Sequence, residues 1–184
     1  FLKHLRDVVK LSTGTVNDYR SGIKYLFEVV LDIGWNSRKI PYLKSYKKLP
    51  VILSRDEVDR IISNAGDIFY QTLFSTIYSS GLRIEEALNL RLCDIDSERM
   101  QIHVRESKSG SSRFTILASK THLLLQQYFQ EYWKKKFSKW NKDDYLFCTY
   151  EKTKPITSTT VRKQFKQALL KSNITKKATL HSLR

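Results

Sequence analysis

The chain has 184 residues, 41% hydrophobic and 28% charged, with a formal net charge of +15. That composition excludes a disordered chain, no run is apolar enough to span a bilayer, and no signal peptide is visible. Residues 1–50 carry 10 basic and 4 acidic groups, residues 51–133 carry 9 and 11, and residues 134–184 carry 14 and 3. The positive charge sits at the two ends of the chain around a near-neutral middle, which points to a polyanion and first of all to nucleic acid. The two cysteines, Cys93 and Cys148, have no metal-ligand spacing and read as buried thiols in a reducing compartment. The chain starts at Phe1 and its one methionine is Met100, so the N-terminus reads as trimmed.

Residues 2–10 suggest a short helix. Val16, Tyr19, Ile23, Leu26, Phe27 and Val30 recur at helical spacing, and Gly34 is the expected C-cap. Residues 36–50 hold two prolines and a run of lysines and read as a basic linker after a partial helical domain at 1–35. Ser54 and Glu57 make a capping box, so a helix starts near Arg55. The apolar stretch "DIFYQTLFSTIYSSG" forms a second helix ending at Gly81, and a third starts at about Arg83. "MQIHVRE" and "RFTIL" alternate as two strands joined by the turn "SKSGSS", a β-hairpin. A long helix follows over about 120–137, then a short extended piece "DYLF", then a helix over "STTVRKQFKQALLKS" capped by Ser158 or Thr159. The fold class is mainly α with a small antiparallel β-sheet.

Three places hold cations in settings that suit phosphate. Arg83 follows a glycine at a sharp helix junction among apolar neighbours, which suggests a half-buried guanidinium, and Glu86 lies one turn on where it can orient it. Lys108 lies in the hairpin turn with Arg113 five residues later. His181 and Arg184 share one helix face at the end of the chain. Taken alone, Arg83 reads equally well as half of a structural Arg–Glu pair, whereas Lys108 reads better as a solvated turn lysine and His181 with Arg184 as a surface pair.

As an ordered set they resemble the tyrosine recombinase (phage integrase) family. "SSGLRIEEALNLRLCDID" is similar to that family's first arginine box, and "LHSLR" to its His-x-x-Arg box. "ESKSGSSRFTIL" is similar to its lysine hairpin, Lys-Gly-x-x-x-Arg-x-x-Pro-Leu, with Ser109 in place of the glycine and Ile116 in place of the proline. "LSTGTVNDYRSGIKYLFEVV" resembles the last helices of the family's core-binding (SAM-like) domain. The resemblance implies a core-binding piece at 1–35, a linker at 36–50 and a catalytic domain at 51–184 that stops after the His-x-x-Arg box.

The activity implied is site-specific DNA recombination or integration through a 3′-phosphotyrosyl intermediate, without metal or cofactor. Arg83 and Arg184 would bind the scissile phosphate, Lys108 would protonate the leaving oxygen, His181 would act in acid–base work, and Glu86 would orient Arg83. In the family the nucleophile follows His-x-x-Arg by several tens of residues. All ten tyrosines here precede His181, so none is assigned and the segment alone is expected to bind DNA without cutting it. The partner is double-stranded DNA, gripped by candidates Arg20, Lys24, Lys47, Lys48, Arg113, Arg162, Lys163 and Lys166, with a homo-tetramer on paired sites when full length. A cytoplasmic, nucleoid-associated location is expected. The competing reading is a non-enzymatic relative that occupies recombination sites.

Overall fold

The computed structural model describes residues 1–44, 49–105, 111–148 and 151–184. It divides into two units, Phe1–Leu49 and Pro50–Arg184. No helix among the described residues is long and apolar enough to cross a membrane.

The first unit holds α1 (Leu2–Asp7) and α2 (Thr13–Tyr25), the latter running on as a π-helical turn over Leu26–Val30. Ser12 caps α2 by accepting from the Thr15 N–H at 3.2 Å. The buried Asn17 donates to the Leu43 carbonyl at 2.9 Å and accepts from its N–H at 3.0 Å, so one side chain replaces a ladder pair for the returning chain. Of the apolar helix face, Val16 is buried, whereas Tyr19, Leu26, Phe27 and Val30 are exposed. The helix ends at Val30 rather than at Gly34, and the left-handed position after it is taken by Asp32 (φ 52°). Asp tolerates that conformation better than most residues with a side chain, which is why the glycine was a misleading marker.

The second unit is built around α3 (Arg55–Ser63), α4 (Ile68–Ser80), α6 (Ser119–Tyr128) and α8 (Ser158–Lys171). The capping box at α3 forms as expected, with Ser54 and Glu57 each accepting from the other's backbone N–H. Helix α4 carries a row of small hydroxyl residues toward α6. Thr121 bonds Ser75 and Ser79, each at 2.9 Å, which satisfies polar groups that the close approach of the two helices buries. Phe69, Phe74, Tyr128, Phe147 and Phe165 fill the space between the helices, with ring centroids 5.6–5.9 Å apart in edge-on and stacked pairs. After α6 the long helix passes through a π-helical turn at Phe129–Trp133 into α7 (Lys134–Lys136). The π turn advances the register by one residue and puts Trp133, rather than a lysine, into the core.

The sheet has three antiparallel strands in the order β1 (Ile95–Asp96), β2 (Gln101–Val104) and β3 (Arg113–Ile116). Val104 pairs with Arg113 and Gln101 with Ile116. Strand β1 went unread because two residues carry no periodicity. "DYLF" is a short piece outside the sheet, bridged at Tyr145 to Arg91 and hydrogen-bonded from Leu146 to the Leu90 carbonyl. The cap of α8 is Thr157, one residue earlier than expected. Cys148 is buried, and burial pushes its thiol up to about 11. Cys93, by contrast, is exposed, on a short 3₁₀ turn at Leu92–Asp94.

Candidate active site

The site begins at the end of α4. Gly81 takes the left-handed conformation (φ 61°) that closes the helix, and Leu82 then dives into the core. The chain turns sharply, and Arg83 emerges as the residue before α5 (Ile84–Leu88). Its side chain is 56% exposed, so the half-buried guanidinium expected from its apolar neighbours is corrected: Leu82, Leu88 and Leu90 are buried and the arginine is not. The buried partner is Glu86, whose side chain is 6% exposed.

Glu86 accepts the backbone N–H of Arg83 at 2.8 Å, capping α5, and the Arg83 Nη1 at 2.8 Å. It also takes both terminal nitrogens of Arg113, at 3.0 and 2.8 Å, from β3. Hydrogen bonds from Arg113, opposed by burial and helped by Arg83, hold the carboxyl at about 2. It stays ionised throughout the physiological range, and the two arginines form one rigid charged assembly around it.

The last turn, a 3₁₀ helix over Leu180–Leu183, sorts its residues by threes. Leu180 and Leu183 are buried, while His181 and Arg184 are exposed on the other side. The Arg184 Nε donates to the Gly81 carbonyl at 2.9 Å. The C-terminal box is thereby tied to the turn that carries Arg83. Arg83, Glu86, His181 and Arg184 all line one cleft of about 1300 Å³, together with Arg162 and Lys166 from α8. Residues 162 and 166 are one helical turn apart and share its wall; Lys163 does not line it.

Of the other expected residues, Arg20 and Lys24 belong to the first unit. Arg20 donates to the Ile40 carbonyl at 2.8 Å and packs between Trp35 and Tyr42, 5.5 and 5.7 Å from their centroids. Lys24 pairs with Glu28 at 3.5 Å on the surface of the first unit. Arg113 is committed to Glu86. Lys47, Lys48 and Lys108 lie outside the described residues.

The cleft also contains cations that sequence reasoning missed: Arg105, Lys176 and Lys177. Arg105 donates to the buried Asp94 at 2.8 Å and to the Cys93 sulfur at 2.9 Å. Alternation along β2 held the signal, since Ile102 and Val104 face the core and Arg105 faces the other way. Lys176 bonds Glu57 at 2.7 Å and the Ile52 carbonyl at 3.1 Å, which fastens the segment before His181 to the start of α3. Of the tyrosines described, none lines the cleft.

Such a cleft can do one thing well. Two guanidinium groups and a histidine line it with further cations, a lining that suits an anion and, along the wall, a longer polyanion.

Comparison with known proteins gives the family and the fold. The sequence profile of the phage integrase family matches residues 52–184. A protein of Sinorhizobium fredii named as an integrase/recombinase, y4eF, is 32% identical over 182 residues, covering 98% of this chain and 69% of its own. The tyrosine recombinase XerC of Halalkalibacterium halodurans is 28% identical over 200 residues, covering all of this chain and 65% of its own. Among solved structures, the XerH site-specific recombinase bound to its difH substrate aligns with a TM-score of 0.74 at 22% identity. That alignment covers 99% of this chain and 54% of that one, and the likeness is one of fold. The chain thus spans a little over half to about two thirds of the length of these relatives. The chain belongs to the phage integrase family, the tyrosine recombinases.

Proposed function

We propose that this chain carries the phosphate-binding part of a site-specific DNA recombinase that breaks and rejoins strands through a 3′-phosphotyrosyl intermediate. The observation that carries the reading is the bond from Arg184 Nε to the Gly81 carbonyl, which ties the His-x-x-Arg box to the turn bearing Arg83. A scissile phosphate in the cleft would meet two guanidinium groups. As the attacking oxygen adds, negative charge grows on the non-bridging oxygens, and fixed cations stabilise that charge without reorganising. Loss of either arginine would cost about 3–4 kcal/mol at the transition state, by analogy with an oxyanion-hole donor.

His181 would donate a hydrogen bond to the same phosphate or carry a proton for the attacking group. Lys108, from the hairpin, would protonate the leaving 5′-oxygen. The attacking tyrosine would follow the His-x-x-Arg box in chain order, as the family resemblance implies. Arg162 and Lys166 would grip neighbouring phosphates of the duplex, with a homo-tetramer assembling on two sites. The functional units proposed are 1–35, 36–50 and 51–184.

The test is a suicide duplex nicked near the cleavage position, offered to the full-length protein carrying this chain. A covalent protein–DNA adduct at a 3′-phosphate supports the reading. Tight duplex binding with no adduct on any substrate contradicts it.

A further inference from the structure

Glu86 has two oxygens and receives four hydrogen bonds. Oε1 accepts from Arg83 Nη1 at 2.8 Å and Arg113 Nη1 at 3.0 Å; Oε2 accepts from the Arg83 backbone N–H and from Arg113 Nη2, both at 2.8 Å. The carboxylate is saturated, and both terminal nitrogens of Arg113 point at it. The fork that would seat a phosphate bidentately is already occupied by a carboxylate. The strand that carries Arg113 is itself stitched to the end of α4. Thr115 Oγ1 donates to the Ser80 carbonyl at 2.9 Å, and Ser80 Oγ donates to the Ile116 carbonyl at 2.8 Å. Ser80, Gly81, Arg83 and Glu86 run from the end of α4 into α5, so besides its ladder to β2 the strand β3 is bonded to the segment that presents Arg83.

We infer that Arg113 is a positioning residue for this site: it clamps Glu86, and through Glu86 it fixes the Arg83 guanidinium for a phosphate, without gripping DNA itself. This rests on the proposed strand-cleavage reading. Arg83 is 56% exposed on a long flexible side chain, and its hold on one geometry comes from Glu86. Removing Arg113 leaves Glu86 buried with half its donors. The carboxylate then gains freedom to swing, and Arg83 loses the preorganisation on which transition-state stabilisation depends. Ground-state DNA affinity, which depends on the summed phosphate contacts, changes little.

The test compares Arg113→Gln and Arg113→Lys with the parent in two arms. In the full-length protein, single-turnover cleavage of pre-bound suicide duplex is expected to slow about 10- to 100-fold in Arg113→Gln. Duplex Kd should stay within about twofold, since a grip residue would move Kd instead. Arg113→Lys keeps the charge but loses the fork, and should fall between. Glu86→Gln should reproduce the same split, and circular dichroism checks that each variant is folded. In the 184-residue chain, the Glu86 carboxyl ¹³C signal is followed through acid pH. Its midpoint is expected to rise by at least about one unit in Arg113→Gln, because the largest force lowering it is gone. A tenfold weaker Kd with an unchanged rate of the bound complex would overturn the inference, as would an unmoved Glu86 midpoint. Absence of cleavage by the unaltered protein would instead count against the recombinase reading, and the carboxyl titration then decides the clamp alone.

Discussion

Replacing Glu86 with glutamine removes one negative charge from the centre of the Arg83–Glu86–Arg113 assembly while keeping its shape. Holding the carboxyl at about 2 instead of its ordinary 4.5 corresponds to a ceiling of about 3 kcal/mol of native-state stabilisation at neutral pH, at about 1.4 kcal/mol per unit. The two arginines are 56% and 38% exposed, so water recovers part of what each loses, and about 2 kcal/mol is the expected cost. For a unit of this size that is a fall in Tm of about 6–8 °C at pH 7. The sign with pH follows from the direction of the shift. A carboxyl held low in the folded state stabilises it fully above the unfolded value of about 4.5 and progressively less as pH falls toward 2. The Tm gap between parent and Glu86→Gln should therefore be constant from pH 8 to about 5 and close below that. Differential scanning fluorimetry across pH measures it. A gap under 1 °C at pH 7, or one as large at pH 2.5 as at pH 7, would refute the reasoning.

Other outcomes follow from the same structure. Gly81→Ala meets no atom within 4 Å but must hold φ at 61°, so it should lose about 1 kcal/mol in urea unfolding and displace the carbonyl that receives Arg184. Thr157→Ala should cost about 1 kcal/mol by removing the cap of α8, whereas Ser158→Ala should cost less than about 0.5 kcal/mol. Tyr128→Phe removes a buried bond to the Leu146 carbonyl and should destabilise by about 1–2 kcal/mol while leaving duplex affinity unchanged. Arg162→Ala and Lys166→Ala should each lower the slope of log K against log salt by about one, measured by fluorescence anisotropy on duplex DNA.

Much of the fold was legible because its punctuation is local. The Ser54–Glu57 capping box, the glycine at 81 and the alternation of β2 each mark an element from within a few residues. Where several local answers compete, the sequence does not choose: residues 157–160 are four consecutive hydroxyl residues, each an acceptable cap, and the structure uses Thr157, with Val161 and Phe165 of the same helix buried. Asp32 rather than Gly34 ends the first unit's long helix for the same kind of reason.

The candidate site was read as an ordered set of motifs, and Arg83, Glu86, His181 and Arg184 line one cleft. What could not be read was how cations divide between structure and ligand. Arg113 and Arg20 look like phosphate grips in one dimension. In three, a carboxylate 27 residues away and an aromatic pair 15 and 22 residues away claim them. Arg105 escaped notice because it belongs to no motif, and only its place just after β2, bonded to Asp94, sets it in the cleft.

The central claim is that Arg83 and Arg184 act on one phosphate at the moment of cleavage rather than as general DNA grips. The direct measurement is the cleavage rate of pre-bound suicide duplex by Arg83→Ala and Arg184→Ala variants of the full-length protein, beside their duplex Kd. The account predicts cleavage slowed about 100- to 1000-fold in each, with Kd within about threefold of the parent. Comparable cleavage by the bound variants, with all of the loss in Kd, would contradict it.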